Sequence, residues 1–365
     1  MTEMQTALSS RDMLETPRPW PFSRSELTAA LRRKTGDPSL TITEINETEV
    51  PQRRPAIGRI RGLQVYTQGR TGKHKIDMVV KEPQGSTRAG TAGAGLREVS
   101  IYKTLGDHLP IRTPVLLAAD TTGAWLVFNQ LSEGRIPEKW QAADYLLATD
   151  QLAVLHDRFW SLGDDLTIYR WLRRPLDTDF SIHLQAAQAG MSKLENRMPP
   201  SVLSQDVNLQ QLLEQLISHA EEIGARLNQE PATLLHGDYW PGNIHVHTDG
   251  TLTLYDWEEA SIGPAVLDLA AFVQYSRWWF EPLPLETATL IGHYRERIER
   301  ANGHTWTTDE WEEVWDYALM WVFLTRWVDL LASIPDTILE ARLGQLESVW
   351  LHPVSVVIKR HLRNG

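Results

Sequence analysis

The sequence predicts an α+β protein of two lobes, a smaller strand-rich one followed by a larger helical one that holds a single hairpin. Three observations predict it. Residues 40–83 contain segments that alternate apolar and polar residues or run apolar between turn signals. After Leu131 the apolar spacing becomes helical almost throughout. Within that helical part, residues 244–257 alone return to strand character. The expected divisions are an arm and capped helix over 1–36, a β-rich lobe over 37–131 and a helical lobe over 132–365.

The elements follow in order. Residues 1–22 are polar and rich in proline, which predicts an arm or frayed end. Ser23 and Glu26 have the spacing of a capping box, so a short helix starts there and ends near Gly36. Residues 40–50 alternate as a strand. Residues 58–68 and 75–83 flank GRTG, which reads as a hairpin turn. Residues 84–94, rich in Gly, Ser and Thr, read as a mobile loop. Residues 94–109 have helical spacing that puts Leu96, Val99, Tyr102 and Leu105 on one side. Strands return at 114–120 and 124–130. Helices are then expected near 137–161, 180–198, 207–229, 265–280, 284–301, 308–332 and, with a break, 336–361. IHVH (244–247) and TLTLYDW (251–257) flank TDG and read as a hairpin.

Composition narrows the function classes. The 365-residue chain has 42% hydrophobic and 23% charged residues, enough to bury a large core. It has no cysteine, which excludes a disulfide scaffold, a thiolate metal site and a cysteine nucleophile. Its longest apolar run, Tyr317 to Leu324, is too short to cross a bilayer. The N-terminal sequence lacks the pattern of a secretory signal, so a soluble, cytoplasmic protein with no membrane partner is expected. The net charge of −11 argues against a nucleic-acid partner. The charge is uneven: residues 1–131 carry +5 and residues 132–365 carry −16. A basic first part suits an anion such as a nucleotide phosphate, and an acidic second part suits a cationic ligand; carboxylates that merely solvate the larger lobe are the plainer reading.

The densest cluster of chemical residues is LLHGDYWPGNIHVHTDGTLTLYDWEEASIGPAVLDLAAF (234–272). One loop carries Asp238 and, five residues on, Asn243. The hairpin that follows returns Asp256 beside that loop. Two carboxylates and an amide at one mouth suit a divalent cation and a phosphate, because hard oxygen ligands leave coordination positions open. Asp238 would accept or orient a hydroxyl proton, and Asn243 and Asp256 would hold Mg²⁺. The D-x-x-x-x-N spacing equals that of the kinase catalytic loop. A kinase also needs a strand lysine and a helix glutamate. Lys81 ends the run MVVK, and Glu98 lies on the next helix. Glu82 and Arg97 adjoin them and could shift that register by one.

With these residues the chain resembles the aminoglycoside phosphotransferase and choline kinase-like family of small-molecule kinases. The matching pieces are VVKEP, LREVSIYKTL, LVFNQL, LAVLHDRFW, HGDYWPGN, LYDWE and GPAVLDLA, from about residue 76 to 272. The resemblance implies a bilobal protein-kinase-like fold and transfer of the γ-phosphate of ATP (or GTP), with Mg²⁺, to a hydroxyl of a small molecule. It also implies that Phe128, Asn129 and Leu131 line an adenine slot and that Asp268 supports the catalytic loop. The glycine-rich phosphate loop of kinases is missing. Residues 49–58 carry Arg53 and Arg54 instead, either phosphate-reaching or simply solvated loop arginines.

Alternatives remain at this point. A protein kinase needs a long activation segment, but only eleven residues separate Asp256 from Asp268. A catalytically inactive kinase-fold binding module would be expected to have lost one of Lys81, Glu98, Asp238, Asn243 or Asp256. The acceptor is expected to be cationic, of aminoglycoside or amino alcohol type, from the −16 charge; a neutral sugar, nucleoside or macrolide is the rival. Monomer and dimer are both open. His236, His245 and His247 could suggest zinc, but without a second-shell pattern, and His156 reads as a buried hydrogen-bonded residue. GRTGKHK is not a Walker A loop, since Thr67 and His74 stand where glycine and Ser or Thr are needed. The tryptophans of 308–332 and Trp278 and Trp279 read as core. The sharper reading is an aromatic and acidic acceptor pocket with Glu281, Glu312, Glu313 or Asp316.

Overall fold

The computed structural model of the chain describes residues 19–50, 58–83, 93–197 and 209–362. Most of the N-terminal arm, Arg53 and Arg54, and residues 84–92 lie outside the described residues.

Helix α1 (Arg24–Thr35) starts at the expected box: the Ser23 hydroxyl accepts from the Glu26 N–H, and the Glu26 carboxylate accepts from the Ser23 N–H at 2.7 Å. Gly36, left-handed at φ 66°, ends it. Strands β1 (Thr41–Thr48), β2 (Gly58–Gly69), β3 (Gly72–Pro83), β4 (Leu116–Ala119) and β5 (Leu126–Asn129) form an antiparallel sheet in the order β1-β2-β3-β5-β4. Strand period 2 divides its faces. Leu63, Val65, Met78, Val80 and Val127 pack with Leu27 and Leu31 of α1, whereas Leu126 and Phe128 pack with Val99 of helix α2 (Ala94–Ser100).

Helix α2 departs from the expected stripe. Leu96, in its first turn, is 42% exposed, and after Ser100 the helix opens into a π-turn over Ile101–Leu105 that buries Ile101 and Leu105 rather than continuing the stripe through Tyr102. A strict 3.6 period fails once a turn gains a residue.

The second lobe contains α3 (Ala142–Arg158), α4 (Phe180–Arg197), α5 (Leu209–Ser218) and α6 (Ala220–Leu227). The expected hairpin is present as β8 (Ile244–His247) and β9 (Leu252–Leu254), extended by a short strand β6 (Gly134–Arg135). A second pair was not anticipated: β7 (Ala232–Leu235) runs antiparallel to β10 (Ser261–Pro264). β7 feeds the HGD loop and β10 leaves the DWE turn, so this pair brings the two motifs together. Helices α7 (Val266–Phe280), α8 (Thr287–Asn302), α9 (Thr308–Val322), α10 (Val328–Ser333) and α11 (His352–His361) follow, with short helical turns at Asp336–Ala341 and Leu343–Leu346 before the last. A π-turn over Phe323–Trp327 joins α9 to α10. Trp311, Trp321 and Trp327 are core, as the plainer reading expected. Trp327 meets Trp278 edge to face and Trp350 at a tilt, with ring centroids 4.8 and 4.7 Å away.

Thr307 caps α9 with a second capping box. Thr307→Ala is expected to lower unfolding free energy by about 1 kcal/mol. In urea titrations the midpoint falls and the m-value stays unchanged.

Candidate active site

Lys81 sits near the end of β3, between Ile60 of β2 and Leu126 of β5. Its ammonium donates to Glu98 Oε2 at 2.7 Å and to Asp256 Oδ1 at 2.5 Å, and lies 3.1 Å from Glu258 Oε2. The sequence register is therefore correct. The neighbouring Glu82 pairs with Arg61 at 2.9 Å, and Arg97 donates to the carbonyls of Trp171 and Glu258. Burial alone would lower the Lys81 pKa, but Asp256, Glu98 and Glu258 raise it well above its usual value, so it stays charged. Burial pushes the Glu98 carboxyl up to about 7 against the pull of Lys81. Burial and the charge on Asp256 likewise raise Glu258 against Lys81. Sequence reasoning had passed over Glu258; its place in DWE, two residues after Asp256, was the available signal.

Asp256 is left-handed, at φ 70° and ψ 61°, a region that non-glycine residues rarely adopt and that clusters at functional sites. It opens the short turn Trp257–Glu259, which aims its carboxylate back at Lys81. The preceding Tyr255 donates its N–H to the Asn243 carbonyl at 3.2 Å, which fixes the two motif loops side by side.

The HGD loop is held by buried Asp268. Its carboxylate accepts from the His236 N–H at 2.7 Å and the Gly237 N–H at 3.0 Å, and lies 3.4 Å from His156 Nε2. His156, fully buried, also meets the Tyr294 hydroxyl at 2.7 Å. Burial would raise the Asp268 pKa, but the hydrogen bond and charge of His156 lead the effects that lower it. Gly237 needs to be glycine: φ is 82°, and a Cβ there would lie 1.9 Å from the Glu259 carbonyl oxygen. His236 Nδ1 accepts from the Asp238 N–H, so its Nε2 carries the hydrogen that meets the Tyr255 carbonyl. Burial lowers its pKa to about 4 and keeps it neutral.

Asp238 and Asn243 meet as their spacing suggested. Asn243 Nδ2 donates to Asp238 Oδ2 at 2.7 Å and to the Asp238 carbonyl at 2.9 Å. The amide nitrogen is committed to Asp238, and no hydrogen bond among the described residues falls on the Asn243 side-chain oxygen. That oxygen, with the carboxylate of Asp256, is a hard donor set with open positions, which fits Mg²⁺. Oxygens of Glu98, Asp256 and Glu258 also lie within 4.8 Å of one another. The histidines do not converge on a metal. His247 meets Thr253 Oγ1 and Ser132 Oγ, and both His236 nitrogens are engaged within the loops.

The expected adenine-slot residues lie on and after β5. Phe128 is buried against Val99, Leu126 and Tyr102, and the Asn129 side chain accepts from the Val115 N–H at 2.5 Å. Leu131 is half-buried at the lobe junction. The acidic residues considered for an acceptor pocket are mostly engaged. Glu313 pairs with Arg226 at 2.7 Å, Asp316 with Arg360 at 2.7 Å and His361 at 2.8 Å, and Glu281 lies 3.7 Å from Arg277. Glu312 is exposed. Arg326, unremarked in sequence, lies 3.9 Å from Asp238 Oδ1.

His183 is buried, and its Nε2 finds no partner among the described residues. Burial first, then the charges of Arg173 and Arg326, lower its pKa to about 3. The unfolded chain therefore protonates this histidine below about pH 6.5 while the folded one does not. Stability is expected to fall as pH drops from 7 to 5. His183→Gln should remove up to about 2 kcal/mol of that loss, read from urea unfolding at the two pH values.

Comparisons place the chain in a family. A model described as the phosphotransferase enzyme family matches residues 62–315, which contain Lys81, Glu98, Asp238, Asn243 and Asp256. No curated protein sequence matches the chain. Among solved structures, an ethanolamine kinase from Plasmodium vivax is similar with a TM-score of 0.53 at 13% identity, covering 87% of this chain and 84% of that one. An aminoglycoside phosphotransferase from Alicyclobacillus acidocaldarius is similar with a TM-score of 0.50 at 13% identity, covering 95% and 97%. At such identities these two likenesses speak for the fold alone. The family match over most of the length is decisive: the chain belongs to the phosphotransferase enzyme family and is a small-molecule phosphotransferase.

Proposed function

We propose that the chain is a kinase that binds the nucleotide in the cleft between a sheet lobe (37–131) and a helical lobe (132–365), with Asp238 as its catalytic residue. The observation that carries this is Lys81, held by Glu98 and Asp256 beside the paired Asp238 and Asn243. Lys81, oriented by Glu98, grips the α- and β-phosphates of ATP. Asn243 and Asp256 hold Mg²⁺, which neutralises charge on the phosphate oxygens when bound. Phe128, Asn129 and Leu131, at the β5 exit, border the adenine. The acceptor hydroxyl faces Asp238. As its oxygen bonds to the γ-phosphorus, the bond from that phosphorus to the β-phosphate oxygen breaks, ADP leaves, and the hydroxyl proton passes to Asp238. ATP is the proposed donor, with GTP the alternative. The enzyme acts as a soluble cytoplasmic protein.

For the acceptor, charge alone favours a cation such as an aminoglycoside or amino alcohol, and the −16 of residues 132–365 is the observation behind that reading. It acts as a field over the lobe, because Glu313, Asp316 and Glu281 have basic partners of their own. A neutral sugar or nucleoside is therefore an equal competitor.

Asp238→Ala is expected to lower kcat by at least about 10²-fold with the fold intact, measured as ADP release with a turned-over acceptor. Near wild-type turnover would remove Asp238 from the chemistry. Asp256→Ala should abolish calorimetric binding of Mg·ATP while the melting curve persists. Unchanged affinity would remove Asp256 from the metal site.

A further inference from the structure

Arg326 belongs to a stretch that is otherwise core. In the π-turn Phe323–Trp327, Phe323, Leu324 and Trp327 are at most 1% exposed, whereas the Arg326 side chain is 28% exposed. A π-turn adds a residue to one turn of helix and re-aims its side chains, and such turns gather at functional sites. Here it delivers a guanidinium to the mouth of the catalytic loop.

That guanidinium has five N–H donors in a planar fork. Among the described residues it makes no hydrogen bond, and its one ion pair is the 3.9 Å approach to Asp238 Oδ1, too long for a hydrogen bond. Burial works against its charge, and Tyr275 leads the groups that favour it, ahead of the carboxylates of Glu259, Asp238 and Asp268; two of those carboxylates have other partners. Glu259 is bound to Arg173 at 2.8 Å, and Asp268 holds the loop N–H groups. The two Asp238 oxygens face different ways. Oδ2 takes the Asn243 amide on the proposed metal side, and Oδ1 faces Arg326 on the helical side. Trp240, Tyr275, Trp279 and Phe280 form a half-buried aromatic group beside this loop, with Trp240 centroids 6.2 to 6.5 Å from the others. The acidic residues that would welcome an ammonium are engaged elsewhere or exposed.

We propose that Arg326 reads the acceptor: it binds an oxyanion, carboxylate or phosphate, that the acceptor carries close to the hydroxyl facing Asp238, so that the substrates are small hydroxylated anions. This rests on the kinase reading above and replaces its charge-based choice of acceptor. An arginine fork binds such oxygens bidentately, which also aligns the neighbouring hydroxyl. The 3.9 Å gap keeps the fork available, because Asp238 does not close on it.

The test uses the full chain with Mg·ATP and four groups of acceptors: hydroxy carboxylates, hydroxyalkyl phosphates, amino alcohols including aminoglycosides, and neutral polyols. ADP release gives kcat and KM, and calorimetry gives binding of the same compounds with and without Mg·ADP. The expected result is preference for one of the two anionic groups, the carboxylates and phosphates telling the two oxyanion sources apart. Arg326→Gln should raise the KM or Kd for that group by at least about 10-fold, and Arg326→Lys should restore part of it, while the KM for ATP moves much less. Preference for amino alcohols, aminoglycosides or neutral polyols overturns the proposal. So does an equal rise in the KM for ATP, which would assign Arg326 to the nucleotide. If no compound is phosphorylated, the kinase reading fails, yet Arg326-dependent anion binding by calorimetry still sustains this inference and its absence overturns it. If Arg326→Gln fails to fold, the wild-type preference decides.

Discussion

A single buried ammonium organises the cleft. Lys81 comes from the sheet, Glu98 from the helix beneath it, and Asp256 and Glu258 from the other lobe. A charge removed from water has to be compensated, and here three carboxylates share that compensation. The sheet strand, α2 and the DWE turn therefore converge on one point, and each is placed by the same requirement. The left-handed backbone of Asp256 fits this account, since local strain persists where surrounding contacts over-determine a residue.

Beneath that point the second lobe is rigid by hydrogen bonding rather than by hydrophobic packing alone. Asp268 takes two loop N–H groups and reaches His156, which reaches Tyr294. A buried polar chain of this kind is stable only when its members are satisfied, and then it fixes a unique geometry. Asp238 inherits its position from that chain, from the left-handed Gly237 and from the histidine tautomer that bridges to Tyr255.

Much of this was legible in the sequence. The Ser23 capping box, the strands over 40–83 and the hairpin at 244–254 follow from local patterns and spacing, whereas the pairing of Lys81 with Glu98 was reached through what a kinase requires. Asp238 and Asn243 meet because five residues of loop close on a tight turn. What was not legible depends on irregular helix or on partners distant in sequence. The π-turn after Ser100 broke the expected stripe at Ile101, and the one at Phe323–Trp327 carries Arg326; neither changes the composition that periodicity reads. The β7–β10 pair joins short segments that are linked through both motif loops and a hairpin rather than by one tight turn. The charge sum over 132–365 could not reveal that Glu313 and Asp316 already have basic partners.

Arg97 has a mechanical meaning. It stands next to Glu98 on the short helix under the sheet, yet its guanidinium is fastened to the carbonyls of Trp171 and Glu258 in the lower half of the molecule. The next residue holds the sheet: Glu98 accepts from Lys81, and Val99 packs on Leu126 and Phe128. This one short helix is therefore a tie between the halves, with adjacent side chains gripping one each.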